Sequence, residues 1–265
     1  PRNIILAGKA GAIFRKNAEK IFLSYEELYA ENRTVHVPDL GPLSWYPNRD
    51  SISYEALYGL TDAEEFIRTT LRHADFMFGW NKLIQLRLTD ELPLPIPSPQ
   101  SVTEWFSQHI QQPGLKEKLS HFKSQSATFR QQWEFLDLEH STLQLNKPSV
   151  CAADFLQLQC EEKMKLDAGD KDLVVMLHEI DFETSDALHS WKSSLVVKGE
   201  DPTRTAMSKT VGLPLAIACR LILNGTIQTR GLHIPSIKEI YEPVLKELAK
   251  SGVAFREEKS VEFKK

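Results

Sequence analysis

Apolar residues recur at the three- to four-residue spacing of an amphipathic helix in several stretches of the chain. The pattern predicts helices over residues 13–28, 74–88 and 206–223, the last with a bend or restart at Pro214. After Pro235, a capping box from Ser236 to Glu239 predicts the start of a final helix, because its side chains can satisfy the free amides of the first turn.

Other stretches have the length and the residue types of β-strands. Residues 172–182 predict a strand, and residues 191–197 predict its partner in a hairpin. Residues 65–72 could continue a helix begun by a capping box at Thr61, but their threonines and their alternation favour a strand. On that strand Arg68, Thr70 and Arg72 share one face, so two guanidinium groups and a hydroxyl point the same way.

A proline-rich segment and a helix-start signal predict how these elements are organised. Alternate prolines over residues 93–99 predict an extended polyproline segment. From a capping box at Ser101 to about Asp167, the composition and spacing predict a small all-helical module. We therefore predict an α/β fold: a mixed β-sheet domain, residues 1–88 and 169–265, with an inserted helical module, residues 89–168.

Composition and charge exclude several classes of protein. The chain is 42% hydrophobic and 26% charged, which is typical of a soluble globular protein. Its 32 Lys and Arg against 36 Asp and Glu leave no overall positive field for nucleic acid or an anionic membrane. The longest apolar stretch, residues 211–223, is too short for a bilayer core of ~30 Å. The three cysteines form no CxxC pair, which argues against a disulfide framework or a thiolate zinc site and fits a reducing cytoplasm.

The motifs that usually hold a nucleotide or a metal ion are missing. A dinucleotide fold needs glycines two residues apart so that backbone amides can approach the pyrophosphate, and none of the 12 glycines is so spaced. No Walker lysine, paired histidine spacing or G-x-S-x-G elbow occurs. We expect no cofactor or metal site in this chain. Its start at Pro1, without an initiator Met or a signal peptide, predicts a piece of a larger protein.

Two arginines stand in settings that suit anion binding. Arg49 lies in a loop restricted by Pro47, where a fixed guanidinium can grip a carboxylate through two hydrogen bonds. Arg72 ends the predicted strand. The residues alone favour a simpler interpretation, in which Arg49 pairs with Asp50 or another acid and Arg72 is a solvated strand end.

The segment YPNRDS, residues 46–51, followed by RTTLR, residues 68–72, resembles the paired signature of saccharopine dehydrogenases of the glutamate-forming, saccharopine-reductase type. Residues 161–182, 193–195 and 205–253 are similar to further segments of that family, and the last of these is the most specific. The resemblance is good over residues 40–83 and 160–258 and poor over 89–159.

The resemblance implies a three-part enzyme: a Rossmann domain for NADP(H), an α/β domain that binds substrate and forms the dimer, and a helical domain inserted in the latter. It implies that the Rossmann domain precedes Pro1 and is absent from this chain. In the family, glutamate and α-aminoadipate semialdehyde join through an imine that a hydride reduces to saccharopine, and the reaction also runs in reverse. By matching position, Arg49, Thr70, Leu71 and Arg72 would hold substrate carboxylates, and no catalytic residue is assigned.

One departure and two alternatives remain. Thr69 stands where the family usually has glycine, which leaves open a related imine reductase with another substrate. The chain could also be a regulatory module that kept a carboxylate site without a nucleotide domain. Our prediction is a cytoplasmic homodimer that binds a dicarboxylate or tricarboxylate amino acid. NADP(H) would be held mainly by the N-terminal Rossmann domain, and this piece would be inactive alone.

Overall fold

The computed structural model describes residues 2–94 and 100–264. The chain divides into two compact units: Pro1–Val35 with Pro42–Lys165, and His36–Gly41 with Leu166–Lys265. This division groups residues 42–88 with the helical region. We predicted one substrate-binding and dimerisation domain, residues 1–88 and 169–265, with an insert at residues 89–168. The division into two units does not test this domain assignment, which stays a prediction. Most of the predicted polyproline segment lies outside the described residues.

The first unit begins with short elements rather than with the helix predicted over residues 13–28. They are helix α1 (Arg2–Ile5), strands β1 (Ala12–Lys16) and β2 (Glu19–Leu23), and helix α2 (Tyr25–Leu28). The predicted helix is wrong because β1 and β2 pair antiparallel and the chain reverses between them. At the turn, Asn17 and Ala18 have φ values of 51° and 61°, the left-handed geometry that matches the twist of a tight hairpin.

Strands β3 (Arg33–Val37), β4 (Gly41–Pro47) and β5 (Thr69–Arg72) follow in a three-stranded sheet of that order. After β4, a 3₁₀ turn at Ile52–Tyr54 leads into helix α3 (Glu55–Tyr58). The strand predicted over residues 65–72 is confirmed for its last four residues only. Its antiparallel register with β4 places Tyr46 opposite Thr70 and Ser44 opposite Arg72.

Helices make up most of the rest of the first unit, and a pair of two-residue strands lies among them, so the region predicted to be all-helical is only mainly helical. The elements are α4 (Ala74–Gln85), β6 (Gln100–Ser101), α5 (Val102–His109), α6 (Leu115–Gln125), α7 (Ala127–Leu136), β7 (Gln144–Leu145) and α8 (Ala152–Lys163). The predicted capping box begins α5, where the Glu104 amide donates to Ser101 Oγ and the Ser101 amide donates to Glu104 Oε2. One hydrophobic core runs from α1 and Tyr46 through these helices, and in it Trp105 stacks on Phe155 at 4.6 Å.

The second unit is an antiparallel sheet with two helices. Strands β8 (Leu173–Glu183), β9 (Ala187–Lys198) and β10 (Arg256–Phe263) lie in the order β10-β9-β8, and helices α9 (Leu213–Leu223) and α10 (Lys238–Lys250) complete the unit. The predicted hairpin is confirmed: β8 has the predicted length and lies one residue further along the chain, and β9 is longer than predicted. A π-helical turn at Ser208–Gly212 precedes α9, which confirms the restart at Pro214.

The capping box predicted at Ser236 is wrong. Helix α10 begins one residue later than that prediction allows, with Ile237 as its N-cap, which has no side-chain acceptor for a free amide. Glu239 instead accepts hydrogen bonds from the Thr229 amide at 3.0 Å and the Thr229 hydroxyl at 2.6 Å. A tertiary contact thus replaces the local one. Among the described residues, no helix is both long and apolar enough to cross a bilayer.

Candidate carboxylate-binding site

A cleft of about 520 Å³ lies in the first unit, lined by α1, by the end of β4 with the loop after it, and by β5. Its charged lining consists of three arginines, Arg49, Arg68 and Arg72, and one acid, Asp50. The chain as a whole has a net charge of −4. The cleft is therefore a local positive site on a chain of net negative charge, suited to a small anion rather than to an extended polyanion.

The loop after β4 is fixed to β1 by two hydrogen bonds that flank Asp50. The Arg49 carbonyl oxygen accepts from the Ile13 amide at 2.9 Å, and the Ser51 amide donates to the Ile13 carbonyl oxygen at 2.8 Å. Arg49, whose carbonyl oxygen accepts the first of these bonds, has a φ of 52°, in the left-handed region that residues with a side chain rarely adopt. The backbone at Arg49 is thus held in one strained conformation by its neighbours.

The side chain of Arg49 is exposed and has no ion pair within the described part of the chain. The alternative in which it pairs with Asp50 is wrong, because Asp50 Oδ1 accepts from the Ser53 amide at 3.2 Å and no ion pair joins the two residues. The guanidinium of Arg49 therefore stays available to a ligand in the cleft.

Thr70 and Arg72 come from β5 and line the same cleft, as their shared face predicted. Arg72 is half-buried, so it is not a fully solvated strand end. Its Nη1 donates to the Leu71 carbonyl oxygen at 2.9 Å, and its guanidinium carbon lies 5.5 Å from the ring centre of Phe76. Leu71 itself lies opposite Trp45 in the register and does not line the cleft. Its contact with the site is the backbone bond that orients Arg72.

The set of predicted site residues omitted Arg68, which the structure places in the cleft. Its guanidinium carbon lies 3.8 Å from the ring centre of Tyr54. The signal was present in the sequence, since alternation along the strand already grouped Arg68 with Thr70 and Arg72. The cleft is closed by Asn3 and Ile4 of α1 and by Ala7 just after it. These residues had no such signal, because no periodicity connects them with positions more than forty residues away.

Two further groups support the walls of the cleft. Arg15 of β1 donates two hydrogen bonds of 2.8 Å to the carboxylate of Glu55 in α3, and this pairing lowers the pKa of Glu55 from its ordinary value. Behind the cleft residue Tyr46, the ring of Tyr29 lies at 4.7 Å, and burial raises the pKa of the Tyr29 hydroxyl. Tyr29 therefore stays neutral and adds no negative charge.

The fold and the cleft define a mixed α/β protein with a cationic cleft. Residues 1–253 match the family model described as "Saccharopine dehydrogenase C-terminal domain". The chain belongs to the saccharopine dehydrogenase family, a family of oxidoreductases, and corresponds to its C-terminal part.

Relatives and a solved structure agree with this assignment. The chain is 30% identical to mitochondrial alpha-aminoadipic semialdehyde synthase of Rattus norvegicus over 240 residues, which cover 83% of this chain and 25% of that protein. It is 28% identical to the NADP(+), L-glutamate-forming saccharopine dehydrogenase of Saccharomyces cerevisiae, covering 98% of this chain and 60% of the relative. The apo, histidine-tagged structure of the latter matches with a TM-score of 0.83 at 27% identity, over 98% of this chain and 61% of that one. The chain thus spans less than two thirds of the length of each of these relatives.

The residues present do not fit a dinucleotide. The hairpins β1–β2 and β8–β9 and the pair β4–β5 are antiparallel, whereas a dinucleotide fold needs parallel strands joined by helices, with glycines at the first turn. No such glycine pair occurs in the sequence. Within residues 2–94 and 100–264, no cluster of three or more His, Cys, Asp or Glu side chains could hold a metal ion.

Proposed function

We propose that this chain is the substrate-binding part of a saccharopine dehydrogenase-type oxidoreductase, that Arg49, Thr70 and Arg72 hold the carboxylates of an amino acid, and that Leu71 contributes through its carbonyl oxygen, which orients Arg72. One observation carries the proposal: Arg49 and Arg72 come from separate stretches, line one cleft, and have no carboxylate partner among the described residues. A partly buried guanidinium without a counter-charge is costly, and a dicarboxylate or tricarboxylate ligand supplies that charge.

In the whole enzyme we propose the reductive condensation of glutamate with α-aminoadipate semialdehyde, or its reverse, in lysine metabolism. NADP(H), bound by an N-terminal Rossmann domain, would supply or accept the hydride. The part of this chain is to bind and orient: Arg49 and Arg72 pair with carboxylates, Thr70 donates its hydroxyl, and the Leu71 carbonyl holds Arg72 in position. This chain alone is expected to be inactive, and no catalytic residue is assigned to it.

Calorimetric titration of the chain with saccharopine, with glutamate and with NADPH tests the proposal. We expect the chain to bind saccharopine and glutamate and not to bind NADPH. In Arg72→Ala we expect the affinity for both amino acids to fall by about 10- to 100-fold, which is the usual contribution of a charge-assisted hydrogen bond. The matched control is Arg230→Ala, which removes an exposed arginine that does not line the cleft. Unchanged affinity in Arg72→Ala would contradict the site, and tight NADPH binding would contradict the domain assignment.

The remaining partner is a second copy of the chain. One face of the β8–β10 sheet carries large apolar side chains that are each more than a third exposed: Met176, Ile180, Phe182, Trp191, Val261 and Phe263. The strand register makes them neighbours on that face. A contiguous apolar patch of this kind is typical of a protein interface and supports a homodimer. A cytoplasmic location also stays part of the proposal, and the three free cysteines support it.

A further inference from the structure

Arg68 is the third guanidinium of the cleft, and the proposed function gives it no role. It is half-buried, and no Asp or Glu oxygen lies within 4.0 Å of its nitrogens among the described residues. Arg15, in the same unit, is by contrast fully paired with Glu55. Most charged side chains are placed either in water or beside an opposite charge. Arg68 has neither full exposure nor a partner acid, so its position indicates a ligand group.

The backbone and one aromatic ring hold Arg68 in place. Its amide donates to Ser51 Oγ at 2.9 Å, and its carbonyl oxygen accepts from the Asn48 amide at 2.8 Å. Ser51 is fully buried, which makes this anchor rigid. Tyr54 covers one face of the guanidinium at 3.8 Å. Stacking of this kind occupies the face of the planar group and leaves its N–H donors, which lie in the plane, free to bind a carboxylate in two-point fashion.

The spacing of the three arginines suits a ligand with acids at separate positions. Arg68 and Arg72 lie four residues apart on one face of an extended segment, so their backbones are about 13 Å apart at the usual rise per residue of a strand. Arg49 enters from a different segment, after β4. Three unpaired guanidinium groups thus surround one cleft from three points, with Asp50 as the one acid in its lining. A dicarboxylate can occupy two of these points, and a tricarboxylate can occupy all three.

We infer that Arg68, stacked on Tyr54, binds a third carboxylate and makes the cleft select tricarboxylate over dicarboxylate amino acids. The inference rests on the proposed function, because it assigns one more contact within the same cleft. Arg68 acts here as a specificity residue: it touches the part of the ligand that a dicarboxylate such as glutamate lacks. Tyr54 acts as a positioning residue through its contact with Arg68.

The test compares two ligands on the same set of variants by calorimetric titration of the full 265-residue chain. Arg68→Gln removes the charge and keeps the backbone hydrogen bonds of residue 68, so the fold is expected to be retained. For this variant we expect about a 10-fold or greater loss of affinity for saccharopine, which has three carboxylates, and less than a twofold change for glutamate. Arg68→Lys keeps the charge without the two-point geometry and should recover part of the loss. Tyr54→Leu should weaken saccharopine alone, by a smaller factor than Arg68→Gln.

The outcomes separate the inference from the proposed function. If the wild-type chain binds both ligands and Arg72→Ala weakens both, the carboxylate site stands. In that case an equal effect of Arg68→Gln on the two ligands, or no effect on either, overturns the role of Arg68 alone. If the wild-type chain binds neither ligand, the proposed site fails and the inference fails with it. Arg230→Gln is the matched control, and any change it caused in the ratio of the two affinities would contradict a specific role of residue 68.

Discussion

Arg49 combines an unpaired guanidinium with a backbone conformation that favours glycine. Its φ is 52°, and the hydrogen bonds of Ile13 hold the chain directly after it, at the carbonyl oxygen of Arg49 and the amide of Ser51. The left-handed conformation costs about 1–2 kcal/mol for a residue with a Cβ atom. Strained residues of this kind concentrate at functional sites, where the surrounding structure maintains them. The strain at Arg49 therefore agrees with a role in the cleft. It also means that substitutions at this position can change ligand affinity and folding stability separately.

Two substitutions at this position are expected to divide binding from stability. Arg49→Ala and Arg49→Gly both remove the guanidinium, so both should lower the affinity for saccharopine by about 10-fold or more. Arg49→Gly also relieves the strain and should exceed Arg49→Ala in its free energy of unfolding by about 1 kcal/mol. Urea denaturation measures this difference, and titration measures the affinity. Equal unfolding free energies would show that the conformation of residue 49 stores no strain.

At the scale of elements, the ion pair of Arg15 with Glu55 connects β1 to α3, which flank the loop that holds Arg49. The pairing lowers the pKa of Glu55 below its ordinary value of 4.5. A lowered folded-state pKa contributes stability that is present above pH 4.5 and is lost as the pH falls through the folded-state value. The connection between β1 and α3 is therefore sensitive to acid.

Glu55→Gln is expected to test this connection. The variant should melt at a lower temperature than the wild type at pH 7, because Arg15 is left partly buried without its counter-charge. The difference between the two proteins should shrink as the pH falls from about 4.5 through the lowered folded-state pKa, below which Glu55 in the native wild type is also neutral. Thermal melts followed by circular dichroism between pH 7 and pH 3 measure this difference in melting temperature. A difference that is constant over this range would contradict the contribution of the ion pair.

Long, regular elements could be predicted from the sequence, and short ones could not. The helix from Ala74, the helices after Ser101 and the β8–β9 hairpin carry enough residues for their periodicity to be clear. The hairpin of β1 and β2 was mistaken for a helix because its strands have five residues each and its turn, Asn17-Ala18, contains no glycine. Because alanine rarely adopts a positive φ, the local sequence contained no signal that the chain reverses at this turn.

The wrong prediction of a capping box at the start of α10 has a different cause. The residues of a capping box are present, but the carboxylate of Glu239 is used by Thr229, ten residues earlier in the chain. A tertiary partner cannot be seen in a local pattern. The candidate site shows the same limit: the face shared by Thr70 and Arg72 follows from alternation within one strand, whereas the convergence of that strand with Arg49 required the family resemblance.

At the scale of the whole molecule, the exposed apolar face of β8–β10 predicts the oligomeric state. Ile180 lies opposite Trp191 in the middle of that face and is 48% exposed. Ile180→Glu places a charge in the proposed interface and should shift the protein from dimer to monomer at micromolar concentration. Ser190→Glu is the matched control, because the alternation of strand side chains puts residue 190 on the opposite face of the sheet. Light scattering coupled to size-exclusion chromatography measures the mass, and a monomeric wild-type chain would contradict the homodimer.

The three walls of the cleft come from parts of the chain that are far apart in sequence: α1, the end of β4 with its loop, and β5. Bringing such distant stretches together costs chain entropy, which only the contacts of the folded cleft can offset. Neither the YPNRDS segment nor the RTTLR segment can therefore form the pocket as an isolated peptide. The binding energy of an amino acid in this cleft is available only to a chain that has completed its long-range pairing, so the ligand and the native topology stabilise each other.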